Sequence, residues 1–169
     1  LKSPVDGLKV SAYFDLLNID VVYSPRFDPN LYLDPERLSF WGSPGDTGLR
    51  VDVPDDWFND DEWAVRAYRR VGSWELALYG YDGYWKGPQG FDLDRQVYVF
   101  PKLAVYGASA RGPLAGGIFY TEYGYYDSKD AGLHGNQYAP PSEQRLLLGY
   151  QRELARELTL GLQYYLVHI

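Results

Sequence analysis

Cysteine is missing from all 169 residues, which removes disulfides, thiol nucleophiles and cysteine-ligated zinc or iron–sulfur centres together. Methionine is missing too, and the chain opens Leu1-Lys2-Ser3-Pro4 rather than with a start residue and an apolar signal segment. A processed chain or an excised piece is expected from that. Histidine is scarce: His134 and His168 are the only two, too few for a histidine-rich metal site. Positive charge is outweighed, with 16 Lys and Arg against 23 Asp and Glu and a net charge of −7, so the broad cationic surface that nucleic acid demands is not there. No apolar run approaches the ~18 residues of a membrane-spanning helix. That excludes a helical membrane protein but leaves membrane β-barrels open, because their strands need only about ten alternating residues.

Aromatic and glycine residues are plentiful: 17% of the chain is aromatic, with 17 Tyr, 5 Trp and 18 Gly, a composition that favours strands. Prolines gather between positions 25 and 54 and then at Pro88, Pro101, Pro113, Pro140 and Pro141, and the segments between them read as uninterrupted strands. No compositional break divides the chain, so a single domain over 1–169 is expected.

The run WAVRAYRRVGSWELALYGYDGYW (63 to 85) carries three arginines through apolar and aromatic sequence. Gly72-Ser73 suits the centre of a type II′ turn, with glycine taking the positive φ. Pairing about that turn sets Val71 against Trp74, Arg69 against Leu76, Ala67 against Leu78 and Val65 against Gly80 on one face. Arg70 then meets Glu75, Tyr68 meets Ala77, Arg66 meets Tyr79 and Ala64 meets Tyr81 on the other. The first face is apolar except for Arg69, which can snorkel from its place beside the turn. The second is polar and aromatic.

Two later segments repeat the plan. Residues 102 to 128 turn near Gly112-Pro113, and Phe119, Thr121, Tyr123 and Tyr125 alternate with Ile118, Tyr120, Glu122 and Gly124. Residues 143 to 169 turn around Leu154, placing Leu146, Leu148 and Tyr150 opposite Leu158, Leu160 and Leu162, with Arg145, Gln151, Thr159, Gln163 and Tyr165 on the other side. Period-2 leucines favour a strand over a helix there. Residues 10 to 23 read as one strand whose bulge near Leu16-Leu17 keeps Ser11, Tyr13, Asp15, Asn18 and Asp20 on one face, for a total of seven strands.

Tight turns at 72, 112 and 154 alternate with long links at 25–61, 86–100 and 128–142. Long and short connections at opposite ends are the pattern of an all-β, antiparallel, up-and-down transmembrane β-barrel. A soluble lipocalin-like barrel or sandwich would use the same half-apolar strands with the apolar face inward. Three features favour the membrane: the unequal connections, arginines opposite glutamate and tyrosine on the polar face, and aromatics crowding strand ends (Trp63, Trp74, Tyr84, Trp85, Tyr123, Tyr125, Tyr126, Tyr164).

Segments 15–41, 105–128 and 146–168 resemble porin-like outer-membrane proteins of Gram-negative bacteria, a largely uncharacterised group, over most of the chain. The resemblance implies the bacterial outer membrane, contact with lipid and lipopolysaccharide, and a barrel larger than this chain could close. Seven strands is an odd count and the chain ends YYLVHI without a terminal aromatic residue, so a fragment of a longer barrel is expected.

On this register Arg66, Tyr68, Arg70, Glu75, Tyr79, Tyr120, Glu122, Arg145, Gln151, Gln163 and Tyr165 line a lumen. Trp63, Trp74, Leu76, Leu78, Phe119, Tyr123, Leu146, Leu148, Leu158, Leu160 and Leu162 face lipid or form an aromatic girdle. The function implied is passage of small hydrophilic solutes or ions. Alternatives are a plugged barrel that binds a protein partner or another copy through its acidic, aromatic loops, and a soluble barrel holding a small hydrophobic ligand. Arg70 and Glu75, next to the turn, read as a structural pair.

No enzyme chemistry, cofactor or metal is expected. GASAR (107 to 111) misses the nucleophile elbow because Arg111 stands where the last glycine belongs, and GPLAGG is turn chemistry rather than a phosphate loop. His168, Asp127 and Ser128 read as a strand-end polar cluster before they read as catalytic. Residues 25 to 62 hold ten acidic residues against three arginines without EF-hand spacing, so a solvated loop is preferred to a Ca²⁺ site.

Overall fold

Strands in which every second side chain is apolar satisfy their backbone N–H and C=O groups by pairing on both sides, and this chain does so in a meander. The computed structural model describes residues 6–30, 50–134 and 137–169, except the side chains of Leu133 and His134. Among the described residues twelve strands run in chain order: β1 (Leu8–Tyr13), β2 (Asn18–Ser24), β3 (Glu62–Val71), β4 (Trp74–Tyr84), β5 (Gly90–Asp92), β6 (Val97–Val99), β7 (Lys102–Leu114), β8 (Gly117–Ser128), β9 (Gly132–His134), β10 (Gln137–Ala139), β11 (Glu143–Ala155) and β12 (Leu158–His168). Eight form one antiparallel sheet in the order β1-β2-β3-β4-β7-β8-β11-β12, and four short ones form a second in the order β6-β5-β10-β9. β1 and β12 each keep an unpaired edge among the described residues, so the large sheet is open.

The hairpin read from residues 63 to 85 has the expected register at every pair from Val71 with Trp74 to Ala64 with Tyr81, and Gly72 sits at φ 60°. Three other readings need correction. Residues 10 to 23 are two strands, not one with a bulge: Ser11 pairs with Asp20 and Tyr13 with Asn18 across a turn that closes with Phe14 N donating to Leu17 O at 3.2 Å. The large sheet therefore has eight strands, one more than the sequence pattern implies. The second hairpin turns at Ala115-Gly116, not at Gly112-Pro113. Both turn residues take positive φ, 48° and 76°, which is type I′ geometry. Pro113 is tolerated inside β7 because pairing with β4 ends at Arg111, leaving the proline no ladder bond to break on that side. The last hairpin turns at Arg156-Glu157 rather than Leu154, with a bulge between Glu153 and Ala155, so Leu146 faces Leu166 and Leu148 faces Tyr164.

Among the described residues the four tight turns lie at one end of the sheet and the ends of the long links at the other. Links 86–100 and 128–142 are not bare loops: they supply β5, β6, β9 and β10, and β5 of one link pairs with β10 of the other. Of link 25–61, residues 31–49 lie outside the described residues, while Val51 bridges Tyr98 beside β6. A small core closes this end, where the Phe27 ring packs at 5.2 Å from Tyr84 and 4.9 Å from Phe100, with Val51 and Val53 against it.

Candidate functional site

Residues directly opposite one another in adjacent strands share a face, so the register carries one face across the sheet. Every residue expected to line a lumen falls on the face that holds Arg66, from Tyr68 in β3 to Tyr165 in β12. Every residue expected to meet lipid falls on the opposite face. On that second face Leu78, Leu158 and Leu162 are more than half exposed, and no described element covers them. Tyr23 and Trp63 pack at 4.4 Å toward its link end, and Trp74 and Phe119 at 6.4 Å toward its turn end. Three of the strand-end aromatics behave differently. Tyr84 is buried in the link-end core, and Tyr126 turns to the polar face, where it stacks at 5.9 Å on buried Trp85.

The polar face is hollowed rather than flat. One hollow, about 460 Å³, has the directly paired Gly107 and Gly124 among its lining and Tyr79, Glu122, Tyr126, Arg145 and Tyr165 around it. A second, about 390 Å³, shares Tyr79 and Glu122 with the first and adds Ser109, Arg111, Tyr120 and Gln151. A third, about 370 Å³, shares Glu75 and Arg111 with the second and reaches Arg70 and Ser73 at the turn end. A fourth opens sideways from Tyr79 toward Lys9, Asp20 and Arg66. Shared walls make the first three a trough along β7 and β8.

Charge on this face is mostly paired within it. Arg66 Nη2 donates to Glu75 Oε1 at 2.8 Å, and its guanidinium lies 4.2 Å over the Tyr68 ring and 5.9 Å from that of Tyr79. The hydroxyls of Tyr79 and Ser109 share a hydrogen bond of 3.0 Å. Asp20 accepts from Ser11 Oγ at 2.7 Å and pairs with Lys9 at 3.2 Å. Arg145 pairs with Glu143 and lies 4.1 Å over Tyr126. The expected Arg70–Glu75 pair is a register neighbour only, because Glu75 is taken diagonally by Arg66.

Sequence reasoning missed several members of this face. Asp20 needed the β1–β2 hairpin to be recognised, since only then does it stand opposite Ser11. Ser109 and Arg111 sit among Gly107, Ala108, Ala110 and Gly112, small residues that blur the alternation. At the link end Glu62, only 5% exposed, accepts from Lys86 Nζ and from Tyr81 Oη, each at 2.5 Å. Lys86 also donates to Asp28 O at 3.1 Å, and Tyr84 Oη donates to Asp60 Oδ1 at 2.7 Å.

The acidic link residues are used in structure. Asp60 Oδ2 accepts from Asp56 N at 3.0 Å, Asp61 from Trp63 Nε1 at 3.2 Å, and Asp52 pairs with Arg95 at 2.5 Å, which raises the arginine's pKa. Backbone N–H donation from Arg95, then the Gln137 amide, holds the Asp92 carboxyl below its ordinary range and joins the two links. No three His, Asp or Glu side chains among the described residues gather as a metal site. His168, Asp127 and Ser128 do not form a cluster: alternation puts Ser128 on the face opposite the other two, and Asp127 is paired with Lys129 at 2.8 Å.

No family model, curated protein or solved structure matches the chain.

Proposed function

We propose that this chain is wall and lumen of a porin-like outer-membrane β-barrel that passes small hydrophilic solutes or ions. In this reading the large sheet curls about its polar face, its open edges are closed by further strand pairing, and lipid covers the apolar face. The observation that carries it is the trough: hollows joined through Tyr79, Glu122, Glu75 and Arg111 run from the link end to the turn end on the charged side of the sheet. The apolar face supports it, since leucines and aromatics laid bare over a whole sheet are costly in water and neutral in hydrocarbon. A soluble barrel around a hydrophobic ligand needs its hollow among Leu158, Leu160 and Leu162, whereas the hollows that form the trough lie on the other face.

A second reading has its own observation. The part-buried Glu62–Lys86 pair, the Phe27 core and the β6-β5-β10-β9 sheet build up the link end, which suits a plugged barrel that works through its loops. Planar-bilayer recording separates the two. The channel reading expects stepwise conductance from purified protein, and a folded, bilayer-inserted protein with no steps would leave the plugged scaffold.

A further inference from the structure

We propose that the turn end of the trough is an oxyanion site, in which Arg70 of β3 and Arg111 of β7 bind a small solute through its phosphate or carboxylate. The proposal rests on the polar face meeting solute and adds the class of solute it meets.

Four arginines of this face contrast in pairs. Arg66 and Arg145 each have a carboxylate and a tyrosine ring. Arg70 and Arg111 are exposed and have no hydrogen bond, ion pair or ring contact among the described residues. Both line the same hollow of about 370 Å³, with the Ser73 hydroxyl as a further donor group. Its one carboxylate, Glu75, lies between them in register and is engaged at 2.8 Å by Arg66.

Strands β3 and β7 are two places apart, roughly 10 Å, a span that two long guanidinium side chains close around one oxyanion. Each guanidinium offers a planar fork of N–H donors that matches phosphate or carboxylate geometry, and two such forks favour an oxyanion over chloride. The other facing carboxylates are Glu122 in the adjoining hollow and Glu153 on β11, and both oppose an anion. They tune the site rather than fill it, since neither pairs with Arg70 or Arg111.

The test is calorimetric titration of inorganic phosphate into the full chain in a phosphate-free nonionic detergent, at constant ionic strength, with a matched chloride titration. Saturable phosphate binding is expected. Arg70→Gln and Arg111→Gln should each weaken it about tenfold, as loss of a charge-assisted contact does. Glu122→Gln should tighten it. Arg70→Lys with Arg111→Lys preserves the charge and removes the fork, so it controls for folding and should still weaken phosphate. Absence of saturable binding, equal binding of chloride, or indifference to all of these arginine substitutions overturns the site. Arginine-dependent binding without bilayer conductance would leave the site standing and remove the channel; conductance without such binding would do the reverse.

Discussion

Glu62 shows what a single residue contributes at the link end. Its carboxylate is withdrawn from water and accepts from Lys86 and Tyr81, while Lys86 spreads over Phe27 at 4.7 Å and reaches Asp28 O. Lys86→Met removes the cation and leaves the carboxylate buried with one hydroxyl donor. The expected cost is about 3 kcal/mol, the low end for breaking a buried pair because Lys86 is itself part-exposed, and urea unfolding in detergent measures it. Glu62→Gln combined with Lys86→Met should recover part of that loss, because no unpaired charge remains. At this scale the sequence was poor guidance. Glu62 opens β3 and Lys86 follows the end of β4, 24 positions on, and alternation does not pair them; only the packed link end makes them neighbours.

Elements were legible where turn chemistry and alternation agreed. The β3–β4 hairpin has both a Gly72-Ser73 turn and a clear two-residue period, and its whole register followed. The β1–β2 turn, Phe14-Asp15-Leu16-Leu17, contains neither glycine nor proline, and its apolar residues continue the strand's composition, so two strands read as one. Gly112-Pro113 misled in the opposite sense. Gly112 is small because the Trp74 ring lies over it, where a Cβ would come within 2.4 Å, rather than because the chain turns there. The true turn places Ala115 at φ 48°, a conformation alanine tolerates poorly. Ala115→Asn gives this type I′ turn the Asn-Gly pair it prefers and should stabilise the hairpin by about 0.5 kcal/mol, read as a rise in denaturation midpoint without a change of slope.

For the whole molecule the decisive property is which face meets which medium, and the chain's lack of cysteine makes that directly measurable. Leu78 and Tyr79 are consecutive in β4 and point to opposite faces; Leu148 and Gln151, three positions apart in β11, also point to opposite faces. In vesicles, Leu78→Cys and Leu148→Cys should resist a charged maleimide and react with a lipid-soluble one. Tyr79→Cys and Gln151→Cys should react with the charged reagent. The inverse pattern would belong to a soluble barrel enclosing its apolar face, and it would remove the membrane reading.

Alternation of side chains along each strand is a property of local sequence, because successive Cβ atoms point to opposite faces whatever the strand pairs with. The sequence by itself therefore determined the all-β class, the two unlike faces and the side taken by the residues of the well-patterned hairpins. Tertiary structure alone decided the strand count, the positions of three turns, the second sheet joining β5 to β10, and which arginines of the polar face are paired. Those depend on contacts between residues remote in sequence, where loop closure and packing choose among registers that local pattern leaves equal.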